Sequence, residues 1–114
     1  MKREFLELPG FLASWNKLGL TEDDLTDLEH ELCCNPDAGD LIQGTGGLRK
    51  YRWNVGNKGK RGGVRVLYID FVSYEKIYFL NVYTKNKKDS LSDNERNVIK
   101  KKIKELKREL ENNK

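Results

Sequence analysis

The hydrophobic residues of this chain change their spacing near residue 36, and that change decides which elements the two parts can build. Before it, Phe11, Leu12, Trp15 and Leu18 recur at helical spacing, with Pro9 suited to a first turn and Gly19 just past the end. Leu25, Leu28 and Leu32 predict a second helix, capped by Thr21, with Glu22, Asp23 and Asp24 at its positive dipole end and Asn35-Pro36 as its stop. The short turn between them predicts an antiparallel helical hairpin. Residues 36–47 are rich in glycine, proline and aspartate. Beyond them the apolar residues alternate, predicting strands at 48–53, 64–71 and 77–84 in an antiparallel meander. Residues 4–8 alternate weakly before Pro9 and predict a short edge strand. Ser92 followed by Glu95 has the form of a capping box, and Ile99, Ile103, Leu106 and Leu110 then make one apolar seam. The expected fold class is α+β, one domain over residues 1–114. A small antiparallel sheet is flanked by an N-terminal helical hairpin and a C-terminal helix.

Charge divides the chain in the same region. Residues 1–48 carry 3 Lys/Arg against 10 Asp/Glu, a balance of −7, and residues 49–114 carry 19 against 8, a balance of +11. A polarised charge of this kind points to a polyanionic partner for the second part, nucleic acid before an anionic membrane surface. No apolar run follows Met1-Lys2-Arg3, and none approaches the roughly 20 residues of a membrane span, so no membrane partner is expected. The two cysteines, Cys33 and Cys34, are adjacent and poorly placed to bond to each other. The expected location is cytoplasmic, with reduced thiols.

The densest chemical feature lies at 49–65. Arg49, Lys50, Arg52, Lys58, Lys60, Arg61 and Arg65 fall in this stretch with no acid among them, and Tyr51 and Trp53 are interleaved. Cations supply phosphate affinity, aromatics stack on bases, and Gly56, Gly59, Gly62 and Gly63 let a backbone approach a nucleic-acid strand. Solubility alone is a poor account of seven cations without one carboxylate.

Strand alternation sorts these residues by face. Leu48, Lys50 and Arg52 share one face of the first strand, and Arg49, Tyr51 and Trp53 the other. Arg65 begins the face of Leu67 and Ile69. In the last strand, Asn81, Tyr83 and Lys85 alternate together, leaving Tyr78, Leu80 and Val82 to pack on helices. If the helices cover one face, the other is left for a basic groove holding Lys50, Arg52, Arg65, Tyr83 and Lys85. His30, the sole histidine, is expected at the surface, so no Ser-His-Asp set can be built, and no His/Asp cluster has metal-ligand spacing. Gly44-Thr45-Gly46-Gly47 lacks the Gly-Lys-Ser/Thr ending of a phosphate loop. No cofactor is expected.

RNA cleavage at such a site needs three things. The ribose 2′-OH must lose a proton, the phosphate must be stabilised as charge develops, and the leaving 5′-oxygen must gain a proton. Neighbouring cations lower a lysine pKa toward that of a usable base, and arginine offers a permanently charged fork for the phosphate. A partner that orients the RNA for in-line attack would strengthen such a site.

Gly44-Thr45-Gly46-Gly47-Leu48-Arg49-Lys50, Gly59-Lys60-Arg61-Gly62-Gly63-Val64-Arg65 and Tyr83-Thr84-Lys85-Asn86 together resemble the RelE-like toxins of type II toxin–antitoxin systems. Asn35-Pro36, Gly39-Asp40 and Ile42-Gln43-Gly44 resemble the HigB branch in particular. The resemblance implies a ribosome-dependent endoribonuclease that cuts mRNA in the A site, against 16S rRNA, and is neutralised by a cognate antitoxin. It implies a catalytic set of Lys50, Arg52, Arg65, Tyr83 and Lys85, with the general base open between Tyr83 and Lys85. Arg49, Lys58, Lys60 and Arg61 are the expected RNA contacts around it. Two other readings fit a chain of this kind: a gyrase-poisoning toxin on the same fold, and a non-catalytic RNA-binding module.

Overall fold

The computed structural model describes residues 2–55, 63–84 and 90–113. Where alternation is strongest the chain forms a five-stranded sheet of order β1-β5-β4-β3-β2. Its strands are β1 (Glu4–Glu7), β2 (Asp40–Leu41), β3 (Arg49–Trp53), β4 (Val64–Phe71) and β5 (Lys76–Thr84). The helices are α1 (Pro9–Lys17), α2 (Glu22–Cys34) and α3 (Asp93–Asn112). The architecture is α+β, and β3-β4-β5 is the expected antiparallel meander. β1 is an edge strand, as its weak alternation predicts, and it joins β5 in parallel. Arg3 fastens this edge by a two-pronged pair with Asp70, Nε to Oδ1 at 2.8 Å and Nη2 to Oδ2 at 3.2 Å. β2 is a strand inside the segment read as turns. Its two residues pair with Arg49 and Lys50, too short a run for alternation to register.

Each helix starts where its chemistry directs. The Thr21 hydroxyl accepts from the Asp24 amide while the Asp24 carboxylate accepts from the Thr21 amide. Ser92 and Glu95 make the same reciprocal pair at the start of α3. Each box satisfies amides that the first helical turn leaves without intrahelical partners.

The sheet is covered on both faces. On one, Phe11, Trp15, Leu28 and Leu32 from α1 and α2 pack on Val64, Val66, Tyr68, Ile77, Phe79 and Val82. On the other, Ile103 and Leu106 of α3 pack on Leu48, Leu67, Ile69, Phe71 and Tyr78, with Ile99 and Leu110 at the margins. The expectation that one face stands free is therefore corrected. The apolar seam of α3 has nowhere to be buried except against Leu67 and Ile69, and it claims that face.

A second correction concerns β5. Leu67 is opposite Asn81 and Tyr68 is opposite Phe79, so Leu80 is an extra residue and the strand carries a bulge. Alternation restarts after it. Tyr78, Leu80 and Tyr83 belong to the α3 side, while Ile77, Phe79 and Val82 belong to the α1/α2 side. Asn81 does not travel with Tyr83: its side-chain oxygen accepts from the Ser14 hydroxyl of α1 at 3.0 Å and from the Val82 amide at 2.8 Å.

Candidate nucleic-acid interface

The meander register sets the site. Arg52 is opposite Arg65, and Arg65 is opposite Tyr83, so three strands contribute one residue each to a single row. Strands lie about 4.8 Å apart, which makes the row about 10 Å from end to end. One step inward, Lys50 is opposite Leu67. The row occupies the end of the sheet where β3 leaves, β4 enters and β5 leaves. The central guanidinium is the unusual member: Arg65 is 3% exposed, Lys50 and Tyr83 are half-buried, and Arg52 is exposed. Arginine keeps its charge when buried, so the row fixes a positive centre in a partly dry setting, where charge acts more strongly than in water.

The opposite face of β3 holds the strand in place. Glu31 of α2 accepts from the Tyr51 hydroxyl at 2.6 Å and from the Trp53 indole at 2.8 Å, and the Trp53 ring stacks on Trp15 with centroids 5.8 Å apart. Glu31 is thus a clamp, a role that its place on α2 does not announce in the sequence. Burial and the bond to Glu31 push the Tyr51 phenol up to about 12. A phenol whose folded pKa is raised contributes stability that is fully present below its unfolded pKa of about 10 and is lost as pH rises through about 12. Burial also raises the Tyr68 and Tyr78 phenols, so absorbance titration of phenolate formation is expected to show several late tyrosines, of which Glu31→Gln should bring Tyr51 alone back toward 10. An unchanged titration in Glu31→Gln would remove the clamp.

Arg49 stands apart from the row. Its guanidinium donates to the carbonyls of Gly39 at 2.6 Å and Asp37 at 3.3 Å, and so ties the 37–39 turn to β3. Lys58, Lys60, Arg61 and Lys85 lie outside the described residues. Gly63 enters β4 at φ +57°, and a Cβ there would sit 2.1 Å from the Trp53 carbonyl oxygen. Gly63→Ala must therefore part β3 from β4 two residues before Arg65. The expected cost is about 1–3 kcal/mol, read as a lowered urea midpoint. An unshifted midpoint would show that the strands open there without penalty.

Sequence reasoning missed one neighbour of the row. Beside Tyr83 the sheet and α3 part around a cavity of about 620 Å³, lined in part by Leu80, Leu91, Val98 and Ile99. The bulge at Leu80 helps shape it, and periodicity carries no signal of a bulge.

The family model described as the RelE toxin of the RelE / RelB toxin-antitoxin system matches residues 17–113. The chain belongs to the RelE toxin family. Its fold agrees with that of E. coli toxin RelE, solved in the free state as a double arginine-to-alanine mutant. The two are 15% identical, with a TM-score of 0.54 over 76% of this chain and 87% of that one. The match to the RelE family includes the whole Arg52–Arg65–Tyr83 row with α2 and α3, while β1 and all of α1 but Lys17 precede it. Among the described residues no helix is long and apolar enough to cross a membrane.

Proposed function

We propose that this RelE-family chain is a ribosome-dependent endoribonuclease of the HigB branch, which cuts mRNA in the ribosomal A site and is held in check by a cognate antitoxin. The observation that carries the reading is the Arg52–Arg65–Tyr83 row across three adjacent strands. Its span suits a scissile phosphate and the nucleotide beside it.

In this reading Arg65 donates to the non-bridging phosphate oxygens as charge builds on them. Tyr83 or Lys85 takes the 2′-OH proton. The freed 2′-oxygen attacks phosphorus, the bond to the 5′-oxygen breaks, and that oxygen collects a proton. Lys50 and Arg52 hold the flanking phosphates. Lys58, Lys60 and Arg61 are further proposed contacts, whereas the engagement of Arg49 with the 37–39 turn speaks for a structural part. The ribosome, through 16S rRNA, would supply the in-line alignment that so spare a set of side chains cannot impose alone. The proposed setting is a single cytoplasmic domain.

Mapping mRNA 5′ ends by primer extension after brief induction tests the reading. New ends inside translated codons, absent in an Arg65→Ala culture, are expected. Growth arrest without new ends would set the nuclease aside in favour of a gyrase-directed toxin or plain RNA binding.

A further inference from the structure

We infer that the outward flank of α3 is a second RNA-binding surface, one that takes the phosphate backbone of duplex RNA. Arg96, Lys100, Lys104 and Arg108 follow one another at four-residue steps, and Lys101 and Lys107 border that row. Side chains four apart on a helix are neighbours, so these cations form one ridge about 18 Å long. Most acids of the helix keep off its middle: Glu105 and Glu109 occupy the opposite flank, Glu95 turns back to cap the helix through the Ser92 amide, and Glu111 falls on the ridge only at its C-terminal end, beside Lys107 and Arg108. Lys100, Lys101, Lys104, Lys107 and Arg108 are all exposed. At its first member, Arg96 makes a long contact of 3.8 Å with Asp93.

The ridge has a fixed place relative to the site. The apolar seam of α3 is anchored on Leu48, Leu67 and Ile69. A Cβ at Gly46 would lie 4.0 Å from Lys100 Cγ, and Arg96 shares a cleft with Gln43 and Gly44. The cationic flank therefore overlies the 43–47 turn, which runs directly into β3 and its Lys50 and Arg52.

Charge chemistry selects the partner. Protein interfaces are depleted in lysine at their cores, and the ridge carries no apolar anchor. An interfacial membrane helix needs an apolar face to insert, and the apolar seam here is buried on the sheet. A straight cationic row without aromatic residues has nothing on which single-stranded bases could stack, and it matches the regularly spaced phosphates of a duplex.

The inference rests on the RNA-directed reading above. Its test uses the purified full chain, a 20-base-pair RNA duplex of mixed sequence and a 20-nucleotide single strand, titrated across salt concentrations. The variant carries Lys100→Gln, Lys104→Gln, Lys107→Gln and Arg108→Gln, since glutamine supports a helix nearly as well as lysine. The slope of log affinity against log salt for the duplex is expected to flatten by about 3 to 4. A Glu105→Gln/Glu109→Gln control should not flatten it. In the unmodified chain, duplex should shield Lys100, Lys104 and Lys107, but not Lys17, from an amine-acylating reagent, whether or not the variant folds. An unchanged slope with no shielding overturns the inference, as does shielding by anionic vesicles or an acidic protein in preference to duplex. The two readings fail separately: mRNA ends with no ridge binding sink only the ridge, and ridge binding with no mRNA ends sinks only the nuclease.

Discussion

Arg65→Ala is expected to lower cleavage of translated mRNA by roughly 10²–10³-fold, the usual loss when one donor to a developing oxyanion is removed. The argument is positional. Arg65 is the middle of the row, with Arg52 on one side and Tyr83 on the other, and it is 3% exposed. Among the described residues, the other cations at the row, Arg52 and Lys50, start from β3, one strand away. Cutting back a buried side chain also loosens packing, so Arg65→Gln, closer in volume, belongs beside it. Both variants should lose growth arrest and the new 5′ ends, and Arg65→Gln should keep a urea midpoint near that of the parent. Arg65→Lys should recover part of the activity, since charge returns without the two-pronged fork. Full toxicity in both Arg65→Ala and Arg65→Gln would place the chemistry elsewhere.

Phe11→Ala is expected to destabilise the fold by about 3–5 kcal/mol. Phe11 is 0% exposed, and its ring lies between Trp15, with centroids 5.3 Å apart, and Phe79, at 4.8 Å. It joins α1 to β5, so the cavity it leaves would border both a helix and the central sheet and could collapse only in part. Against a total stability of about 5–15 kcal/mol, the loss is a large fraction, and the urea midpoint should fall by about 2 M. Leu12→Ala, one position along, is the contrast: Leu12 is 41% exposed and its truncation should shift the midpoint little. Equal shifts from the two would mean that the aromatic stack is not what fastens α1.

Both predictions rest on features that differ in how plainly the sequence declares them. Phe11 and Trp15 are four apart after a helix-starting proline, and the capping chemistry at Thr21 and Ser92 is local, so one strand of sequence carries the whole signal. The meander was equally legible, since its three strands alternate over five to nine residues. Lys50, Arg52 and Arg65 could be assigned to one face for the same reason. Long-range terms were not legible. Glu31 looks like any acid on a solvated helix until Tyr51 and Trp53 are folded against it, and Arg49 looks like another member of the cationic run until the 37–39 turn reaches it. The covering of the second face was hidden because an apolar seam tells that a helix packs, not on which side of the sheet. Tyr83 kept its assigned face, but Asn81, assigned with it, reaches for Ser14, and Leu80, assigned to the opposite face, sits on the side of Tyr83.

That outcome at Tyr83 depends on parity. Ile77 and Tyr83 are both odd-numbered, yet with Leu80 inserted between them they end up on opposite sides of β5. Deleting Leu80 would heal the ladder, with Tyr68 still opposite Phe79, Leu67 opposite Asn81 and Arg65 opposite Tyr83. Among chains of this architecture, then, the length of β5 between its buried start and its exposed end carries information that residue identity does not. A change of one residue there spares the row only where the bulge absorbs it, because Tyr83 must stay opposite Arg65.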